Sequence, residues 1–343
     1  RAEAAVRGGA DLVLELPLPW AISSAEGFAR GGVSILAATG VVDTLVFGSE
    51  CGNAAKLQRA AKALLRADFP DALREELAKG LSFAAARESA ARALIGEDAA
   101  VLREPNDILG VEYCKALLQS GSTIAPLAIL RKVVGHNGGA AKGFASASHI
   151  RELLTNGEDA SAYLTAESAA IYARECAAGR APVTMANAER AILARLRAMR
   201  EEDFAPFDGG GEGLYHRLYD AVQRETTIDG ILAAAKSKRY AYARLRRLLL
   251  AAYLGVTPED IPQRVPYLRV LACNARGREV LRCMKTTAAA PVLTRSADVR
   301  RLDAGAQRLF ALTARAEEQY VLAYPDLAAA RPGSAWTTDP VIL

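Results

Sequence analysis

Three short groups of residues place a glycine, an amide or a guanidinium where a strand ends or a helix begins. Residues 47–50 (FGSE) close an apolar run, and Gly48 would let a ligand approach the backbone closely. Asn106 follows a proline at a helix entry, so its amide or the helix end can bond to a nucleotide. Arg131 ends another apolar run, where a guanidinium can clamp a phosphate through two hydrogen bonds.

A fourth group, around Ser146, Ser148 and Arg151, has two hydroxyls at a helix start and an arginine one turn later. Hydroxyls, free N–H groups and a guanidinium together can hold an anion. Each of the four groups also has a simpler interpretation, namely a strand–helix turn, a helix cap, a solvated arginine or a serine cap. The simpler interpretation is favoured for residues 47–50 and for Arg131 taken singly, but the occurrence of all four groups in this order indicates that they are not there by chance.

The elements that must position these groups alternate between strand and helix. Residues 10–17, 43–47 and 122–130 are short apolar runs that predict buried parallel strands, and residues 24–38 and 106–118 have helical periodicity. A parallel sheet binds ligands at the carboxyl ends of its strands, which places Gly48 and Arg131 at the ligand edge. From about Asp159 onward the pattern is helical, with residues 188–199 as a clear amphipathic helix.

A basic segment lies between residues 236 and 247 and contains no acid. On one helix four of its cations would share a side, namely Lys236, Arg239, Arg246 and Arg247, while Leu245, Leu248 and Leu249 would face the core. Tyr240 and Tyr242 could stack on bases. A solvated helix face is the alternative, but such faces usually mix charge signs. We therefore predict contact with a nucleic-acid backbone through Lys236, Lys238, Arg239, Arg244, Arg246 and Arg247. The patch is expected to extend over Arg269, Arg276, Arg278, Arg282 and Lys285.

The composition narrows the class of protein. The 51% hydrophobic and 24% charged residues are an ordinary globular balance, and 343 residues suit about two domains. The five cysteines form no CxxC pair and the three histidines no HExxH motif, so we predict no metal site and no disulfide framework. No signal peptide or membrane-length apolar run occurs, which predicts a soluble, cytoplasmic protein. The chain opens without Met inside a predicted helix, so we expect it to be trimmed.

Six segments together resemble the bacterial tRNA(Met) cytidine acetate ligase family of the nucleotidyltransferase superfamily. They span nearly the whole chain and read ADLVLELP (10–17), FGSE (47–50), PNDILG (105–110), ASAS with IR (145–151), KSKRY (236–240) and PYLRVL (266–271). The resemblance implies an α/β fold, with a Rossmann-like nucleotidyltransferase parallel sheet followed by an all-helical C-terminal domain. It assigns residues 1–158 to an ATP-binding domain, incomplete at its N-terminus, and residues 159–343 to a helical tRNA-binding domain.

The sequence departs from the family pattern in several places. The family's HxGH motif, which grips the triphosphate, is absent, and His136 in a later loop does not replace it, so we expect little or no activity from this chain. His149 stands where the family often has a small polar residue, and Ser148 replaces a threonine. Ser237 and Ala241 replace threonines of the basic motif.

The resemblance implies activation of acetate by ATP as acetyl-adenylate, then acetyl transfer to the wobble cytidine of elongator tRNA(Met). Gly48 and Asn106 would contact the nucleoside part of ATP, and Arg131, Ser146, Ser148 and Arg151 its phosphates or the acyl-adenylate. Mg²⁺ is expected with the triphosphate, although no ligand for it stands out, and no catalytic residue or oligomeric state is assigned. Two alternatives remain open: an adenylyltransferase acting on a small cofactor precursor, and a non-catalytic RNA-binding protein.

Overall fold

The chain divides into two compact units. A computed structural model describes residues 1–131, 140–141, 144–208, 213–237 and 240–343. Ser23–Ser146 form one unit, the inserted unit, while Arg1–Ile22 and Ala147–Leu343 together form the other, the flanking unit. The predicted boundary between residues 158 and 159 falls within the flanking unit, and its functional meaning stays a prediction.

The first segment of the flanking unit is short. It comprises α1 (Ala2–Arg7), β1 (Leu12–Leu14) and α2 (Leu18–Ala21). Pro17 and Pro19 stop β1 from continuing and start α2, where Trp20 is almost fully buried.

The inserted unit is mainly helical around two parallel strands. Its elements are α3 (Ala25–Thr39), β2 (Thr44–Ser49), α4 (Ala54–Leu64), α5 (Phe69–Ala78), α6 (Phe83–Ile95), α7 (Pro105–Ser120), β3 (Ala125–Leu130), β4 (Ala140–Ala141) and β5 (Phe144–Ala145). α3 ends at Gly40 in the left-handed conformation, as its sequence predicts. Leu57, Val111 and Cys114 are buried in a core between α4, α6 and α7.

Strands β2 and β3 pair in parallel along their whole length, from Thr44 opposite Ala125 to Ser49 opposite Leu130. This confirms the predicted parallel pairing of these two apolar runs. α7 packs on β2 because Gly110 has no side chain: a Cβ there would lie 2.7 Å from the Phe47 ring. The two strands therefore end side by side, which sets the position of the residues that follow them.

The second segment of the flanking unit carries most of the remaining helices. They are α8 (Ala147–Asn156), α9 (Ala166–Ala177), α10 (Met185–Arg197), α11 (Glu201–Phe204), α12 (Leu214–Arg224), α13 (Ile228–Ala235) and α14 (Tyr242–Leu254). The predicted amphipathic helix is confirmed as α10, with Ile192 and Leu196 buried against α12 and α14. In the described part of the chain, no helix is both long and apolar enough to cross a membrane.

The C-terminal region is not all-helical, which corrects one particular of the predicted fold. Its last elements are β6 (Leu268–Cys273), α15 (Ala275–Thr287), β7 (Val292–Leu293), α16 (Ala304–Val321), α17 (Ser334–Thr337) and β8 (Val341–Ile342). β6 lies at the centre of a small sheet, parallel to β7 and β8 and antiparallel to β1. The prediction that residues 10–17 form a parallel strand was therefore wrong, since Leu12 pairs with Cys273 in an antiparallel ladder.

Candidate functional site

The carboxyl ends of β2 and β3 bring Gly48 and Arg131 together. Gly48 lies opposite Ile129 in the ladder, and the Arg131 N–H donates to the Ser49 carbonyl at 2.9 Å. A Cβ on Gly48 would lie 3.3 Å from Cγ of Arg131, so the arginine stem runs across the glycine. Arg131 is exposed and has no acidic partner among the described residues, which leaves its guanidinium available for an anion.

The side chain of Glu50 caps helix α7 and so joins it to the end of β2. One carboxylate oxygen accepts the Asn106 N–H at 3.3 Å and its side-chain amide at 2.5 Å, and the other accepts the Asp107 N–H at 2.8 Å. The simpler interpretation of this group, in which Asn106 caps the helix, does not hold: Glu104 holds the cap position without a side-chain hydrogen bond, and Pro105 is the first helical residue. The acceptor for these N–H groups therefore comes from the neighbouring strand.

Burial and hydrogen bonding act in opposite directions on the Glu50 carboxyl. Burial acts to raise its pKa, but the Asn106 amide and the backbone N–H groups of α7 together lower it below its usual range. Glu50 therefore stays ionised at neutral pH, with its negative charge held at the positive end of the helix.

A second set of bonds runs in the opposite direction, from α7 to the turn after β2. Asp107, 2% exposed, accepts the Ser49 hydroxyl at 2.5 Å and the Cys51 N–H at 3.2 Å. The Ser49 oxygen in turn accepts the Gly52 N–H at 2.9 Å. Because both carboxylates cross between strand and helix, the backbone around Gly48 is fixed before any ligand arrives.

The fourth predicted group spans the start of α8. Ser146 ends the inserted unit, while Ser148 and Arg151 lie on the first turns of α8 in the flanking unit. Arg151 donates to the Ser148 hydroxyl at 3.2 Å, and both residues are exposed. His149 lies edge to face with Tyr163, their ring centroids 6.0 Å apart. The glycine-rich loop before this helix lies largely outside the described residues.

Comparison with known proteins places the chain in a family. A family model described as "HIGH Nucleotidyl Transferase" matches residues 1–333. The tRNA(Met) cytidine acetate ligase of Acetivibrio thermocellus is 32% identical over 100% of this chain and 87% of its own length. That of Fervidobacterium nodosum is 34% identical over 86% of this chain and 71% of its own length.

Two solved structures of Thermotoga maritima TmcAL superpose on the whole chain. The apo form has a TM-score of 0.94 at 32% identity, covering 100% of this chain and 87% of that one. The form bound with alpha-thio ATP has a TM-score of 0.92 at 33% identity, covering 100% of this chain and 86% of that one.

The chain belongs to the tRNA(Met) cytidine acetate ligase family.

Family membership confirms the predicted fold class, a mixed α/β nucleotidyltransferase fold with a largely helical C-terminal part. The site residues themselves stay a prediction. Sequence reasoning missed Ser49 and Asp107, which are buried together, and the capping role of Glu50. A signal for that role was present: a helix opening at Pro105 without a capping side chain needs an acceptor from elsewhere.

The basic segment, residues 236–247, does not form one continuous helix. Lys236 is exposed just after α13, Lys238 and Arg239 lie outside the described residues, and α14 begins only at Tyr242. Leu245, Leu248 and Leu249 of α14 are buried as predicted. Tyr240 is only 6% exposed, so the prediction that it is available to stack on a base was wrong.

The three arginines of α14 differ in their ion pairs and in their exposure to solvent. Arg244 lies 3.6 Å from the buried carboxylate of Asp208 and 5.5 Å from the centre of the Tyr240 ring. Arg247 is half-buried, and burial, followed by repulsion from Arg244, lowers the pKa of its guanidinium. Arg246 is exposed without an acidic partner in the described part of the chain. Among the four described cations of the basic segment, Arg246 and Lys236 are thus the exposed ones.

Arg269 does not extend a surface patch, contrary to expectation. Its side chain is 12% exposed and pairs with Glu15 at 2.7 Å and with Glu317 at 3.2 Å. It also lies 4.9 Å from the centre of the Phe310 ring. Burial raises the pKa of Glu15, and the Arg269 charge opposes that rise. Arg269 therefore stabilises the sheet around β6.

The described residues contain no group of three or more His, Cys, Asp or Glu that could hold a metal ion.

Proposed function

We propose that this protein is an ATP-dependent ligase that activates acetate as acetyl-adenylate and transfers the acetyl group to the wobble cytidine of elongator tRNA(Met). The names of its relatives support the reaction, and the Thermotoga maritima protein bound with alpha-thio ATP supports ATP as substrate. The structural observation that carries the proposal is the strand edge where the backbone of Gly48 and the guanidinium of Arg131 meet. The proposal places the enzyme in the cytoplasm, with its tRNA.

The first half-reaction needs positioning and neutralisation of charge more than a base, because a carboxylate is already a nucleophile. An acetate oxygen attacks the α-phosphorus of ATP, and the bond to the leaving pyrophosphate breaks. Gly48 and Asn106 contact the nucleoside part. Arg131, Ser146, Ser148 and Arg151 neutralise the phosphates, and Mg²⁺ enters with the triphosphate.

The second half-reaction transfers the acetyl group. The exocyclic amine of cytidine attacks the acetyl carbonyl, an amide bond forms, the bond to AMP breaks, and the amine releases a proton. Lys236, Arg244, Arg246 and Arg247, with Lys238 and Arg239, bind the tRNA backbone in this proposal. The exposure of Lys236 and Arg246 supports that role.

The nucleotide site is tested by equilibrium binding of ATP to the 343-residue chain and to its Arg131→Ala variant. We expect at least a tenfold loss of affinity, about 1.4 kcal/mol, because a charged hydrogen bond to phosphate is lost. Arg74→Ala is the matched control: it removes an arginine that is 76% exposed and paired with Asp71, away from the strand edge. Equal ATP affinity of the Arg131→Ala variant and the unmodified chain would refute the assignment.

The reaction is tested by transfer of labelled acetate to elongator tRNA(Met) in the presence of ATP, with the complete gene product beside the 343-residue chain. Label from the gene product alone supports the reaction and the expected need for the HxGH segment. No label from either, despite tRNA binding, would reject the reaction and favour the alternative of an adenylyltransferase.

A further inference from the structure

Helix α15 is fixed firmly to the small sheet at its first turn. The Asn274 backbone N–H donates to the Asp11 carbonyl at 3.0 Å, and its side-chain amide donates to the Asp11 carboxylate at 2.8 Å. The Gly277 N–H donates to the Asn274 side-chain oxygen at 2.9 Å. Gly277 lies so close to the residue before β1 that a Cβ would stand 1.9 Å from the Asp11 carbonyl oxygen. One side of α15 is thus held against the sheet, and the adjoining exposed side is presented at a fixed angle.

The presented side carries a row of three cations. Arg278, Arg282 and Lys285 are exposed and follow one another at intervals of four and three residues, which places them on one face of the helix. All of α15 is described, and none of the three forms an ion pair with any described residue, including the neighbouring Glu279. By contrast, Arg66, Arg74 and Lys79 are exposed but each is paired with an acid. The α15 row therefore presents uncompensated positive charge.

A groove runs directly beside this row. It has a volume of about 590 Å³, which is within the range of small-ligand sites. It is lined by Leu281 and Met284 of α15, by the segment from Ala288 to Val292, and by Thr294. Lys285 belongs to both the row and the groove, so a group in the aliphatic recess would lie next to a cation.

We propose that α15 and this groove bind a single-stranded segment of RNA, with phosphates along the cation row and one unstacked base in the groove. The row spans about 10 Å along the helix axis, so its three cations can contact neighbouring phosphates of one RNA strand. Unstacked bases in loops are what proteins recognise in RNA, and an apolar recess beside cations fits a base attached to its phosphates. The inference rests on the proposed function, because the RNA is the tRNA substrate, and adds a contact surface outside the basic segment of α14.

The test measures binding of an elongator tRNA(Met) transcript to the full 343-residue chain by fluorescence anisotropy over a range of salt concentrations. The triple variant Arg278→Ala, Arg282→Ala, Lys285→Ala should bind at least tenfold more weakly. Its slope of log affinity against log salt should fall by about 2, since each lost phosphate contact removes about 0.7. The matched control Arg66→Ala, Arg74→Ala, Lys79→Ala removes the same charge from exposed side chains and should keep the slope.

The groove is tested separately by Ala289→Phe, which fills it at an exposed position without changing charge. We expect weaker binding with an unchanged salt slope. Equal slopes for the two triple variants would overturn the cation row, and unchanged affinity of Ala289→Phe would overturn the base site. The proposal would also be overturned if the variant Arg278→Ala, Arg282→Ala, Lys285→Ala lost binding to anionic lipid vesicles while its affinity for the RNA stayed the same. The proposed function fails separately, if the unmodified gene product transfers no acetate to the tRNA. The variants test only the RNA surface of α15.

Discussion

Replacement of Glu50 by glutamine tests whether this carboxylate holds the strand edge to α7. The carboxylate accepts three N–H groups, two of them from the helix backbone. In glutamine one oxygen becomes an NH₂ group that cannot accept, so at least one donor loses its partner, at a cost of about 1–3 kcal/mol. The lost negative charge at the helix N-terminus adds about 0.3–1 kcal/mol, while partial exposure lets water offset some of the total. We expect Glu50→Gln to destabilise the protein by about 1–3 kcal/mol.

The pH dependence gives a second, independent expectation. Because the pKa of Glu50 is lowered in the folded state, its contribution is complete above the ordinary glutamate value of about 4.3. It is lost as the pH falls through the folded value. Glutamine does not titrate, so the difference in stability between the two proteins should be constant near neutral pH and shrink below about pH 4.

Urea unfolding followed by circular dichroism measures the stability difference, and hydrogen exchange of the first turn of α7 measures the local effect. Amide exchange at Asn106 and Asp107 should be faster in Glu50→Gln. Glu75→Gln is the control, since Glu75 is exposed and has no hydrogen bond to a described residue. The capping role would be refuted if Glu50→Gln lowers the free energy of unfolding by less than about 0.5 kcal/mol at neutral pH. It would also be refuted if that loss does not shrink below about pH 4.

Three further predictions concern packing, charge and thiol chemistry. Gly277→Ala should destabilise the protein by about 1–3 kcal/mol by overpacking, although alanine is the better helix former. Gly32→Ala in α3, where an added Cβ would meet no atom nearer than 3.9 Å, should be neutral or stabilising by up to about 1 kcal/mol, and thermal unfolding of both variants decides the sign. Arg269→Met should lower the free energy of unfolding in urea by about 3–5 kcal/mol, because Glu15 and Glu317 lose a buried positive partner. A decrease of less than about 1 kcal/mol would contradict this expectation. Burial raises the pKa of the Cys114 thiol to about 12, so iodoacetamide near neutral pH should modify the exposed Cys283 and leave Cys114 intact by peptide mass mapping.

The sequence was informative where a local pattern determines the structure. Helix α3 with its Gly40 end, the amphipathic α10 and the parallel pairing of β2 with β3 follow from periodicity and from turn residues. It was less informative where a partner far along the chain decides. The run at residues 10–17 reads the same for a parallel and an antiparallel strand, and only its pairing with β6 settles the direction.

The candidate site shows the same division. Glycine and arginine at strand ends could be placed from the sequence, because parallel strands end at one edge. The hydrogen bonds of Glu50 and Asp107 could not, since they join residues more than fifty positions apart. In the basic segment, charge was visible but accessibility was not: Arg244 meets Asp208, which is distant in sequence, and Arg269 is enclosed by two acids.

The pairing of β1 with β6 also determines the order in which parts of the chain can fold during synthesis on the ribosome. Leu12 cannot meet Cys273 until the intervening chain has been made, which at about 5–20 residues per second takes tens of seconds. Ser23–Ser146 are contiguous and can fold during that interval. The nascent chain therefore carries this apolar strand without its partner through most of its synthesis, and we expect the strand to need protection from aggregation during that time.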